Sequence, residues 1–242
     1  MKLAATLMVM LSIVVVFLAA FSGFGVRMDW WGYFFGFQLL KASIISAIVC
    51  GIISLLLILV GLVKRIPIVG KANLAAFLSI SIAAIPFLYI LEFRKIPTFG
   101  EAATDFENLP EFEALAKARN AEAEDPPLFS HSEAEAAQKK FFPDLGPITI
   151  DRSPAKVKEQ VIKVLREMKF SLASAIGDEH RVEATQTSFW FGFKDDVVVI
   201  ITGLPGGGSR VDVRSASRVG KLDGGANAKR VASILAGVQS AQ

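Results

Sequence analysis

Two adjacent carboxylates, Asp195 and Asp196, stand inside the stretch SFWFGFKDDVVVI at residues 188–200. Together with Glu183, Asp212 or Asp223 they could gather a hard cation, because Mg²⁺ and Ca²⁺ prefer oxygen ligands. Such a centre would suit a metal-dependent hydrolase. Neighbouring residues on a strand point to opposite faces, so both carboxylates can reach one ion only from a turn. Asp is itself favoured in turns for the backbone hydrogen bonds it accepts. We therefore read the pair as a hairpin corner, with a metal site at Asp195 and Asp196 as the alternative.

The segment RSASRVGKLDGGANAKR, residues 214–230, concentrates Arg214, Arg218, Lys221 and Arg230 near Asp223 and Asn227. A helix starting there would present free backbone N–H groups, so this cluster could form an anion pocket for a carboxylate or phosphate. Trp190 joins this candidate ligand-binding set as an aromatic lining for an apolar cavity. The competing reading has Asp223 capping the helix while the arginines pair with Glu183, Asp195 and Asp212 across a sheet, and it is favoured because internal carboxylates are available. His131 and His180 have no acid or cysteine at ligand spacing, and GLPGGGSR links two strands without leading into a helix. No catalytic residue and no cofactor is assigned, and the chain reads as non-enzymatic.

The elements that must position these residues lie between Pro147 and Gln242. Ser153-Pro154 is an N-cap followed by the residue best tolerated in a first turn. Behind it Val157, Val161, Val164, Leu165 and Met168 share one helical face. Four strand candidates follow, FSLASAI, RVEATQTSFWFGF, DVVVIITGL and SRVDVRSAS, and then a helix carrying Val231, Ile234, Leu235 and Val238. With ITI at 148–150, the order predicts an α+β domain: an antiparallel sheet of four to five strands with two helices on one face. In RVDVR and VEATQT apolar and polar residues alternate, which predicts one apolar face and one wet, charged face. The parity flips after Thr187, so a bulge or bend is expected near Ser188.

Hydrophobic residues make up 52% of the 242, and the mean hydropathy is +0.48, more than an ordinary soluble protein carries. The excess sits at one end. Residues 3–26, 42–63 and 72–91 are free of charge, each matching the roughly 20 residues needed to span a bilayer. Three transmembrane helices are expected over 1–95. Lys2 and Ala20-Phe21-Ser22 also fit a cleaved secretory signal, but the long apolar core favours a retained span. The net charge of +3 divides into +6 over residues 1–95 and −3 over 96–242, so the basic residues flank the membrane and no surface for nucleic acid is implied. The hairpin KRIPIVGK, residues 64–71, favours a cytoplasmic N-terminus and an outer C-terminal domain. Trp30, Trp31, Tyr33 and Tyr89 would then form a belt on the outer face.

No charge interrupts the three runs, which argues against a transporter, and the only cysteine, Cys50, lies inside the second. Ser43, Ala47 and Gly51, and likewise Ala75, Ser79 and Ala83, recur every four residues and predict helix contacts within or between chains. Pro86 should kink the third span. From 96 to 146 the chain turns rich in Ala, Glu and Pro, reading as an acidic tether with a helix opened near Pro110 and a second near Ser132 to Phe141.

VEATQTSFWFGFKDDVVVII and GSRVDVRSASRVGKLDGGANAKRV resemble the signature of the bacterial family catalogued as domain of unknown function 1499, and TDFENLPEF at 104–112 resembles its tether motif, with Leu109 where the family tends to have proline. The resemblance covers about residues 96–240. It implies a membrane-associated envelope protein with no established activity, and no site residues carry over. The expected organisation is a three-helix region at 1–95, a tether at 96–146 and a globular domain at 147–242. We expect a multi-pass protein of the bacterial inner membrane with a periplasmic domain that binds a partner or an anionic ligand. The alternatives are a lipid-binding module or the acidic-site hydrolase. The expected partners are the bilayer and a protein or second copy of the chain meeting its small-residue helix faces.

Overall fold

The computed structural model describes the chain except residues 97–99, 123–129, 174–179, 221–222 and 241–242, and the side chains of 86, 89, 90 and 92–94. It divides into two units. The first holds Met1–Leu91 with Phe189–Gly192, and the second Glu92–Ser188 with Phe193–Gln242.

The first unit is helical: α1 (Lys2–Arg27), α2 (Tyr33–Val63) and the larger part of α3 (Val69–Lys95). At about 1.5 Å per residue, the 26 residues of α1 and the 31 of α2 exceed the roughly 30 Å of a hydrocarbon core. Both are long and apolar enough to cross a membrane, whereas the apolar stretch described in α3, Val69–Ile85, is shorter than a span. The sequence leads one to expect three spans, and two meet the test. The side chains of Pro86 and Tyr89, and with them the expected kink and part of the belt, lie outside the described residues. Small residues do form the helix contacts. Ser12 of α1 donates to the Ala75 carbonyl at 3.3 Å and meets the Ser79 hydroxyl at 3.0 Å, while a Cβ on Gly51 would touch that of Ser79. Each bond to Ser12 satisfies a hydroxyl buried between helices.

Phe189–Gly192 complete this unit. The Trp190 indole donates to the Ala20 carbonyl at 2.9 Å, and its ring fills the space that a side chain at Gly23 would need. Phe191 stacks on Phe37 with centroids 5.0 Å apart.

The second unit is α+β. Its antiparallel sheet contains β1 (Glu101–Ala103), β2 (Ile148–Ile150), β3 (Ser171–Leu172), β4 (Arg181–Thr187), β5 (Lys194–Gly203) and β6 (Ser209–Ser217). The order is β1-β6-β5-β4-β3, with β2 also pairing with β6. β1 and β2 lie end to end along one edge, pairing with Arg214–Ala216 and Ser209–Val211 of β6. Six strands therefore occupy five lanes. The extra strand, β1, comes from the segment expected to be only a tether. Three residues suffice because its far edge is satisfied by Gln138, whose carboxamide accepts from the Ala103 N–H at 3.0 Å and donates to its carbonyl at 2.7 Å. Gln138 lies on α5 (His131–Phe141), which starts with a capping box between Ser130 and Glu133. The helix expected near Pro110 is the shorter α4 (Ala116–Glu122).

One face of the sheet is apolar, as the alternation predicts. α6 (Pro154–Glu167) and α7 (Ala226–Ser240) cover it, and Val161, Leu165, Val231, Ile234, Val199 and Val213 form one core. Where α6 and α7 cross, a Cβ on Gly237 would stand 2.9 Å from a Val164 methyl. Pro154 opens α6 at its first position, but the Ser153 hydroxyl makes no capping bond.

Two expectations about the strands need correction. The long candidate RVEATQTSFWFGF is not one strand with a bulge: β4 stops at Thr187, and Ser188 closes a loop by donating its N–H to the Phe193 carbonyl at 2.8 Å. Gly192 supplies the positive φ of +70° that this loop needs. The middle of the face expected to be wet is also buried, with Glu183, Asp196 and Val198 each 0% exposed.

Candidate functional site

Asp195 and Asp196 are not a hairpin corner. They sit within β5, paired with Gln186 and Thr185 on one side and Ser217 and Ala216 on the other. Successive strand residues point to opposite faces, and each carboxylate enters a separate polar network.

On the helix-covered face, Asp195 accepts from Ser217 Oγ at 2.5 Å and from Arg230 Nη2 at 2.7 Å. Arg230 also donates to Asn227 Oδ1 at 2.7 Å and to the Gln186 side-chain oxygen at 3.2 Å. Asn227, 0% exposed, accepts from Ser215 and donates to the Ser217 hydroxyl at 3.1 Å. These bonds fix the start of α7 against the sheet. Asp223 caps that start by accepting from the N–H groups of Gly225 and Asn227 at 2.9 and 2.8 Å.

On the other face, Asp196 is bound bidentately by Arg218, through Nε at 2.8 Å and Nη2 at 3.0 Å. It also accepts from Thr185 at 2.6 Å and Arg119 at 3.0 Å. Burial raises the Asp196 pKa, but the hydrogen bonds from Arg218 and Thr185 and the charges of Arg218 and Arg119 outweigh it and hold the carboxyl below its ordinary value. Arg218 in turn donates to Glu122, which Lys194 also meets, at 3.0 and 2.7 Å. At Arg214, burial pulls the guanidinium pKa down while Glu101 opposes it. His131 meets the same buried Glu101 carboxylate.

A strap of chain, residues 110–122, covers this face. The Glu183 carboxylate accepts the backbone N–H groups of Glu113 and Leu115 at 2.7 and 2.9 Å. Arg214 donates to the Pro110 carbonyl at 2.9 Å, and Arg181 donates to that of Glu111. The guanidiniums of Arg119 and Arg214 both approach the Phe112 ring, 4.3 and 5.0 Å from its centroid. The residues expected at one ligand site are thus distributed. Asp223, Asn227 and Arg230 gather on the helix face, Arg214 and Arg218 lie on the strap face, Trp190 belongs to the helical unit, and Lys221 lies outside the described residues.

Among the described residues, no group of three or more His, Cys, Asp or Glu converges as a metal site. Among the described residues, the apolar side chains between sheet and helices form one core cluster. The helical unit holds an apolar groove of about 470 Å³ lined by Ala47, Gly51, Ser79, Ala83 and neighbouring Ile and Phe residues. Sequence reasoning missed Glu183 as a main-chain acceptor, Arg119 as a clamp and Phe112 as the clamped ring. The run PEF beside paired carboxylates in β4 and β5 carried no register that could join them.

Residues 120–238 match the family described as protein of unknown function (DUF1499). The domain belongs to that family. The match takes in β2 to β6 and α5 to α7 of the DUF1499 domain and stops short of β1 and most of the strap, so the tether motif at 104–112 lies outside it. No curated protein matches the chain.

Proposed function

We propose that this is a multi-pass envelope protein of the bacterial inner membrane, whose DUF1499 domain is a periplasmic binding module rather than an enzyme. The observation that carries the reading is the surface of α1 and α2. Their most apolar windows have a mean hydropathy of 2.7 and 2.9 yet are only 22% and 28% buried. Leu7, Phe17, Ile48 and Leu56 are among the exposed side chains, and water would not tolerate that area. α3 would complete a third span in the stretch whose side chains are not described, and the basic hairpin at 64–71 supports the outer placement of the domain. The non-enzymatic reading is supported by the chemistry of the domain. Asp195, Asp196, Glu101 and Glu122 each have a basic partner within 3.0 Å or less, and a carboxylate engaged in this way is poorly suited to act as general acid or base.

The experiment is a membrane preparation washed at alkaline pH, followed by labelling of Ser240→Cys in a Cys50→Ser background with an impermeant maleimide. We expect the protein to stay in the pellet and Cys at position 240 to react from the outside. Extraction by alkali, or labelling only after the inner membrane is opened, overturns the reading. Melting with and without Mg²⁺ or Ca²⁺ tests the hydrolase alternative. A binding module should show no change, whereas a cation site would raise the midpoint.

A further inference from the structure

The strap is held in an unusual way. A segment that merely closes a sheet face is most cheaply held by apolar side chains, since buried charges are costly to desolvate. Here Pro110 and Leu115 are buried, but charged side chains hold the segment as well. Glu183, Arg181 and Arg214 address the backbone of residues 110–115, accepting two N–H groups and donating to two carbonyls. Beside the buried Pro110 and Leu115 side chains, the arginine contacts on Phe112 and the Arg181–Glu113 ion pair at 2.6 Å, this part of the strap is held through its main chain. Main-chain pairing combined with one or two side-chain pockets is how extended peptides are bound. A face built this way reads a short segment with an aromatic between two acids, as in Pro110-Glu111-Phe112-Glu113, whether or not it is covalently attached.

From this we infer that the charged face formed by Glu183, Arg181 and Arg214 is a peptide-recognition site holding residues 110–115 as a resident ligand, and that its partner is the same strap from a second copy of the chain. The segment that fits the site is the chain's own, and exchange of an identical element is a low-cost route to a dimer. Membrane anchoring would raise the local concentration of copies in the plane, as linkage does in multivalent binding. The inference rests on the binding-module reading. It can fail alone: alkaline extraction or a cation-dependent melt would overturn that reading, whereas the tests below address only the strap.

Two measurements on the full chain in detergent test it. First, hydrogen exchange of the wild type should release the amides of Glu113 and Leu115 at least tenfold faster than those of Val197–Ile201 in β5, because the strap opens without the sheet. Equal rates would make the strap an inseparable part of the fold and overturn the proposal. Second, a Phe112→Ala chain, with a weakened strap and an intact face, is mixed with a Glu183→Gln chain, with a weakened face and an intact strap. Each alone should run as a monomer, and the mixture should form a hetero-pair by size-exclusion chromatography. No hetero-pair, with Glu113 and Leu115 of Glu183→Gln already exchanging freely, overturns it. If either variant fails to fold, the wild-type exchange measurement decides the matter.

Discussion

Replacing Arg218 by Met distinguishes an arginine held by the fold from one held ready for a ligand. Met retains most of the apolar stem and removes the guanidinium. Asp196, 0% exposed, then loses the two bonds at 2.8 and 3.0 Å and keeps only Thr185 and Arg119. Breaking a buried pair by removing one partner costs roughly 3–5 kcal/mol, much of it the penalty of the charge left behind. For a chain of this size, about 2–4 °C is lost per kcal/mol, so the midpoint should fall by about 6–20 °C. The melt is followed by far-ultraviolet circular dichroism, because Trp30, Trp31 and Trp190 all belong to the helical unit and would not report on the sheet. The double variant Arg218→Met with Asp196→Leu should recover most of the loss, since removing both charges removes the unpaired one. A single variant melting within about 2 °C of the parent, a shift worth about 1 kcal/mol or less, would refute the structural role and restore Arg218 to an anion pocket.

Further outcomes follow from the same geometry. Asp196, Glu122 and Asp105 are all held below their ordinary values of 3.8, 4.5 and 3.8; their contribution is complete above those values and is lost as pH falls through the lowered folded ones. Stability should therefore hold from neutral pH down to that range and then drop, with a shallower acid limb in Asp196→Asn, as an acid titration of the melting midpoint would show. Gly237→Val places branched carbon where Val164 methyls would already lie 2.9 and 3.0 Å from a Cβ, so overpacking should destabilise the domain by about 1–3 kcal/mol in denaturant unfolding. Gly23→Leu competes for the volume of the Trp190 ring, whose atoms would lie 2.4–2.8 Å from the new Cβ, and should expose the indole and shift its emission to the red.

Much of the second unit could be read from the sequence because it is local and periodic. Val157, Val161, Val164 and Leu165 mark a helix face wherever the helix packs, and Val211 and Val213 mark a strand face. The four residues 189–192 were harder, because their aromatics continue the strand-like composition of β4 while partners such as Phe37 and Ala20 lie with them in the helical unit. The strap face was misread for a related reason. Alternation of Glu183 and Thr185 with Val182 and Ala184 normally means water on the polar side, but here the polar side is covered by a segment more than 60 residues earlier in the chain. Burial of charge by a distant segment leaves no periodic trace, so Phe112 and Arg119 could not be tied to Arg214 from spacing alone.

Strand parity gives the Asp195-Asp196 pair its role. One peptide unit in the central strand sends one carboxylate to α7 and the other to the strap, so both layers are indexed to the same point on β5. Each layer closes on it through an arginine, Arg230 on one side and Arg218 with Arg119 on the other, and arginine's planar fork fixes direction as well as distance. An apolar contact at the same two positions could slide by a residue with little penalty, whereas a register shift of one would exchange the faces of both carboxylates and leave two buried charges unpaired. The carboxylates that first suggest a metal centre thus set the alignment of the helix layer and the strap on opposite faces of one sheet.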